Sequence, residues 1–124
     1  MELISKRFAD TAVLCPQGRI DHATAEGFKA ALAPSLSACG AGRDRLVIDM
    51  TGVEYISSVG LRVLMLASKQ AKAQGAPLAV CGLQPVVREI FEISRFNLVM
   101  QVFPTLREAL ASLSTEALAA FEAA

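Results

Sequence analysis

Two adjacent serines with a glycine two positions on, Ser57-Ser58-Val59-Gly60, are the residues of this chain with the clearest chemical potential. A hydroxyl in such a place can attack as a nucleophile, cap a helix, or accept a phosphate. The nucleophile reading fails on spacing. A hydrolase elbow serine has Gly two residues before it, and Ser58 has Ile56 there. Capping accounts for one serine, since Ser57 or Ser58 can accept a hydrogen bond from an orphan N–H at a helix start. It leaves the second hydroxyl unexplained. It also leaves Gly60, a costly residue in a first helical turn. A small residue there predicts close approach by the backbone of another chain.

Other chemistry is poorly supported. His22 is the only histidine, so a metal site would need carboxylates or distant thiols. As a residue near a helix start, His22 reads as surface. Cys15, Cys39 and Cys81 are odd in number and form no C-x-x-C pair; they read as small buried hydrophobes in reduced form. Neither a phosphate loop nor a dinucleotide fingerprint occurs. Gly40-Ala41-Gly42 precedes a strand, so it is a turn. The expectation is a chain that is not an enzyme and carries no cofactor or metal.

The elements that must position the serines follow from periodicity. Leu3 to Phe8 reads as a strand, with a turn at Ala9-Asp10-Thr11 and a second strand from Ala12 to Cys15. Pro16 cannot donate to a ladder, which places this strand near a sheet edge or at a bulge. The short turn makes the pair antiparallel. Asp21 or Thr24 is placed to cap a helix over Ala25 to Cys39, on which Phe28, Leu32, Leu36 and Cys39 share a face. Pro34 should kink or divide it. Arg45 to Met50 is short, apolar and β-branched, as in a strand covered on both faces. A helix then runs from Ser58 to Gln74, with Leu61, Leu64, Met65 and Ser68 on one face. Leu78 to Cys81 is a strand, Pro85 to Ser94 a helix, and Leu98 to Phe103 a last strand. A final helix from Pro104-Thr105 carries Leu106, Leu110, Leu113, Ala117 and Phe121, with a frayed Ala-rich end. Helices alternating with strands predict an α/β fold: a single mixed sheet of about five strands with four to five flanking helices.

Composition bounds the function. The 124 residues carry 12 basic and 12 acidic side chains, for a net charge of zero. No Lys/Arg cluster suggests nucleic acid. A 53% hydrophobic content excludes disorder. No apolar run reaches the roughly 18 residues that span a bilayer, so no direct membrane insertion is expected. The Met1-Glu2-Leu3 start shows no secretory signal, and a cytoplasmic location is expected. Mean hydropathy of +0.44 is high for a small domain and suggests apolar surface that meets a partner.

The run Val47 to Leu64, V-I-D-M-T-G-V-E-Y-I-S-S-V-G-L-R-V-L, resembles the signature of STAS domains, and within them the bacterial anti-sigma factor antagonists. Gly18-Arg19-Ile20-Asp21 with Thr24-Ala25 resembles a second family segment. Gly75 to Cys81, Val86 to Phe96, and Phe103-Pro104-Thr105 with Glu108-Ala109-Leu110 resemble three more, in matching order over about residues 10 to 111. The resemblance implies a single STAS domain over 1–124, with a C-terminal helical extension at 112–124.

It also implies that an anti-sigma factor, itself a serine kinase of the histidine-kinase-like ATPase fold, phosphorylates the serine two residues before the motif glycine. Here that is Ser58. Ser57 stands where the family often has Asp, and is the runner-up. A serine phosphatase would reverse the modification. Asp21 and Thr24 correspond to positions near the phosphorylation site and partner surface. The docking patch is expected at Tyr55, Ser57, Val59, Gly60 and Leu61. A weak homodimer is left open. The alternative is a structural STAS subunit, in a signalling scaffold or a lipid-transport assembly, without an obligatory phospho-switch.

Overall fold

A computed structural model describes residue 1 and residues 3–124. Strand β1 (Leu3–Phe8) turns into β2 (Thr11–Pro16), followed by a short β3 (Gly18–Ile20) and helix α1 (Ala25–Ala38). Then come β4 (Arg45–Asp49), β5 (Val53–Ile56), α2 (Ser58–Ala73), β6 (Ala79–Cys81) and α3 (Pro85–Ile93). A 3₁₀ turn at Phe96–Leu98, β7 (Gln101–Phe103), α4 (Leu106–Leu113) and α5 (Thr115–Ala123) complete the order.

Five strands form one mixed sheet in the order β1-β2-β4-β6-β7. Only the β1–β2 pair is antiparallel, as its two-residue connection requires. Pro16 ends β2 opposite Leu3, beyond the last β2–β4 partners Leu14 and Ile48, so its missing N–H interrupts no parallel ladder. The strands divide two cores by their period-2 alternation. Leu14, Leu46, Ile48 and Val80 face α1, α2 and α3, meeting Phe28, Leu32, Leu64, Val87 and Phe91. Val13, Cys15, Val47, Ala79 and Cys81 face α4 and α5, meeting Ala109, Leu110 and Ala117. Strand β4 is thus covered on both sides, as its continuous apolar run predicts.

Four expectations are corrected. A second, two-stranded parallel ribbon of β3 and β5 exists, which sequence periodicity does not reveal because each strand is so short. Of the kink or division expected at Pro34, division does not occur, and helix α1 runs on through it. Pro34 and Ala30, whose carbonyl loses its helical donor, are both exposed, so water can satisfy that oxygen. The last strand begins only at Gln101, because Phe96–Leu98 is a 3₁₀ turn. The final helix is two helices, broken at Ser114.

That break is built by one hydroxyl. Ser114 Oγ accepts from Ala117 N at 3.1 Å, capping α5, and donates to Asp10 Oδ1 at 2.7 Å. The Ala-rich end, expected to fray, is helical to Ala123 and has three anchors. Ala117 is fully buried, Phe121 packs edge-on against Phe8 with centroids 5.4 Å apart, and Arg107 pairs with Glu122.

All three cysteines are free and buried. Burial first, then the nearby Asp49 carboxylate and Cys15, push the Cys81 thiol from about 9 up to about 12. We expect none of the three to react with a thiol reagent at pH 8 in the native protein, and all three to react in denaturant. Native-state labelling of Cys81 would overturn this. The linked stability effect has one sign. The raised value stabilises the fold below pH 9, and that contribution fades as pH climbs toward 12, where the unfolded chain ionises first.

Candidate functional site

Strands β3 and β5 exist to carry loops to one place. Ile20 pairs with Ile56, and the Ser57 N–H donates to the Ile20 carbonyl at 2.8 Å, continuing the ribbon to the start of α2. The Asp21–Thr24 turn therefore sits beside Ser57 and Ser58.

The two serines have different fates. Ser57 is the N-cap, with extended φ/ψ of −87° and 173°, and its Oγ accepts from Gly60 N at 3.3 Å. It is 8% exposed. Ser58 is the first helical residue and is exposed; among the described residues, no hydrogen bond engages its hydroxyl. The cap is Ser57, and the free hydroxyl is Ser58. Ser57→Ala is expected to cost about 1 kcal/mol, the usual value of an N-cap, and to lower the urea midpoint accordingly. An unchanged midpoint would argue that the 3.3 Å contact contributes nothing.

Gly60 has a reason different from the one expected. It is buried inside its own chain. A Cβ there would lie 2.7 Å from Ile20 Cγ2, 2.8 Å from Ile56 Cγ1 and 3.1 Å from the Ile20 carbonyl. The glycine lets α2 settle onto the β3–β5 ribbon, so no partner backbone is needed to explain it.

Asp21 and Thr24 form a closed local network. Thr24 Oγ1 donates to the Arg19 carbonyl at 2.8 Å and accepts from Asp21 N at 2.9 Å. Asp21 Oδ1 accepts from Ala23 N at 3.0 Å, and its carbonyl accepts from Thr24 N and Ala25 N. Thr24 occupies the N-cap position of α1, yet its side chain makes no cap bond. The turn is thus held by Asp21. Desolvation opposes the ionised Asp21, but the hydrogen bonds from Ala23, Thr24 and Arg19 outweigh it and hold the carboxyl below its ordinary value. The Arg19 guanidinium lies 4.4 Å over the Tyr55 ring, a cation–π stack on the ribbon, with its Nε 3.6 Å from Asp21 Oδ2.

Beside Ser58 runs a shallow apolar groove lined by Val59, Leu61, Arg62, Met65, Ser94 and Phe96. Val59 and Leu61 were expected on the docking patch, and they lie together. Sequence reasoning missed Ser94 and Phe96, which lie more than thirty residues from Ser58 and arrive through the α3–3₁₀ connection. No sequence signal announced them: the chain turns at Arg95, whose φ of +58° is a left-handed conformation that an arginine does not advertise. Among the described residues, no three His, Cys, Asp or Glu side chains could hold a metal, and no helix is long and apolar enough to cross a membrane.

The STAS domain profile matches residues 4–109. The chain belongs to the STAS domain family. BtrV of Bordetella bronchiseptica, a proposed anti-sigma factor antagonist, is 39% identical over 114 residues, covering 90% of this chain and 93% of BtrV. The anti-sigma-F factor antagonist RsfB of Mycobacterium tuberculosis is 30% identical over 99 residues, covering 80% of this chain and 78% of RsfB. An anti-sigma factor antagonist from Mycobacterium paratuberculosis superposes with a TM-score of 0.81 at 23% identity, over 90% of this chain and 92% of the other. By homology this STAS domain falls among the anti-sigma factor antagonists, and its mixed sheet with five helices is the STAS fold.

Proposed function

We propose that this STAS domain is a phospho-switched antagonist. Its unphosphorylated form captures an anti-sigma factor that is also a serine kinase, and so frees a sigma factor. Phosphorylation of Ser58 ends the capture, and a serine phosphatase restores it. The observation that carries this reading is the division of labour between the two serines. Ser57 is buried and occupied as a cap, whereas Ser58 is exposed, unengaged and at the mouth of an apolar groove. Its relatives being antagonists supplies the class of partner.

The physics suits a switch on the complex rather than on the fold. A phosphate brings about −1.5 to −2 charges and three acceptor oxygens. At the first residue of α2 it meets unpaired helix N–H groups, so the folded domain tolerates it. Within a packed interface the same dianion is costly. Incubation with the candidate kinase and ATP, followed by mass-spectrometric mapping, should place one phosphate on Ser58. A phosphate on Ser57, or none on either serine with an active kinase, would overturn the proposal.

A further inference from the structure

Helix α2 carries only one sign of charge. Its ionisable residues are Arg62, Lys69 and Lys72, with no Asp or Glu in its sixteen residues. In sequence they look scattered. On a helix, spacings of four, three, four and three put Ser58, Arg62, Met65, Lys69 and Lys72 on one stripe, about 21 Å long at 1.5 Å per residue. All but the half-buried Met65 are exposed. Among the described residues, no ion pair engages any of the three cations; the pairs present join Arg7 to Asp44, Arg19 to Asp21 and Arg107 to Glu122.

An apolar shelf runs alongside. Phe96 joins Ser58, Leu61 and Met65 in lining the groove at the start of α2, and Leu98 and Val99 share a second depression with Ser68 and Lys72 toward its end. Leu98 is 75% exposed and Val99 64%. Such large exposed side chains in a row are unusual on a surface that meets only water. Of the acidic groups nearby, Glu92 lines a different cleft with Arg88 and Asn97, while Glu26 shares the α1–α2 groove with Arg62 and Lys29 without an ion pair to either among the described residues, which leaves Lys69 and Lys72 clear of it.

We infer that the face formed by the α2 stripe and the Phe96–Val99 shelf docks an acidic amphipathic segment of the partner protein. That segment's apolar side would rest on Leu61, Met65, Leu98 and Val99, with the buried Phe96 as the floor between them, and its carboxylates would meet Arg62, Lys69 and Lys72. This rests on the proposed switch for the statement that the partner approaches Ser58, and it adds the partner's chemistry and the direction in which it lies. A phosphate on Ser58 would stand at one end of the stripe, adding negative charge where the partner's carboxylates must come.

The test uses the full chain and two synthetic 18-residue helical peptides of the same leucine pattern, one with glutamates and one with lysines at the polar positions. Binding is followed by fluorescence anisotropy and by amide shifts of the labelled protein. The glutamate peptide should bind saturably, with shifts confined to α2 and residues 94–99. Its affinity should fall about tenfold between 50 and 500 mM salt. The double variant K69E/K72E should lose tenfold or more. K6E/R88E, with the same change in net charge on other faces, should bind as the parent does.

Equal binding of both peptides, equal loss in the two double variants, or shifts outside this face would overturn the inference. So would binding to anionic lipid vesicles without any response to the glutamate peptide. If the peptide binds but S58E leaves its affinity unchanged, the acidic docking face stands and the switch reading falls. If the peptide fails while the kinase still modifies Ser58, the reverse holds.

Discussion

Ser58→Asp should weaken capture of the cognate anti-sigma kinase about a thousandfold, whereas Ser58→Ala should retain parental affinity. The size of the effect follows from where the residue lies. Its exposed side chain opens onto the groove of Val59, Leu61, Met65 and Phe96. A partner packed on that groove removes water from the serine, and a carboxylate there loses its hydration; Arg62, one turn on in the same groove, would have to leave the partner's carboxylates to replace it. Several kcal/mol is the usual cost of such burial. About 4 kcal/mol corresponds to three decades of affinity. The free Asp variant should melt no lower than the Ala variant, because a negative charge at a helix start is favourable. Calorimetric titration of both variants with the kinase, alongside thermal melts, checks each half. Equal affinities would sink the switch; a fall in melting temperature of the Asp variant would relocate its effect to the fold.

Gly60→Ala should be the most damaging small substitution near the site, at about 1–3 kcal/mol, the range for overpacking a filled core. The added methyl would press on Ile20 and Ile56, whose exposures are 0% and 1%. Both are β-branched and locked on the ribbon, and the third contact is a backbone carbonyl, so none can swing away. Relief requires α2 to lift off the β3–β5 ribbon, carrying Ser57 and Ser58 with it. The variant should lose stability in urea and kinase binding together. Stability within 0.3 kcal/mol of the parent would show that the ribbon yields more easily than its geometry suggests.

Much of this was legible before any coordinates, and the limits have physical causes. Strand β4 and helix α2 announce themselves because burial on two faces and on one face leave different periodicities. The β3–β5 ribbon does not, because strands of three and four residues complete barely two alternations. Ser114 was hidden for a similar reason. The apolar spacing of Leu106, Leu110, Leu113, Ala117 and Phe121 continues across it, and the break shows only in the extended backbone of Ser114 and its bonds to Ala117 N and to Asp10, at the opposite end of the chain.

At the site, the serine pair and its glycine were visible, but the roles needed geometry. Sequence alone could not say which hydroxyl caps, nor that Gly60 answers to Ile20. Tyr55, expected on the docking patch, stacks with Arg19, a contact that sequence alone does not announce. Phe96 lay beyond the reach of any local pattern.

The two-sided core has a practical side. Everything argued for Ser58 takes place on the side of the sheet held by α1, α2 and α3, while α4 and α5 close the opposite side. The central sheet acts as a bulkhead between a working surface and a mounting surface. A dye, a bead or a fused reporter attached through an exposed position of α5, such as Glu116, would sit behind that bulkhead. The proposed capture and release could then be followed on an immobilised domain without covering the groove beside Ser58.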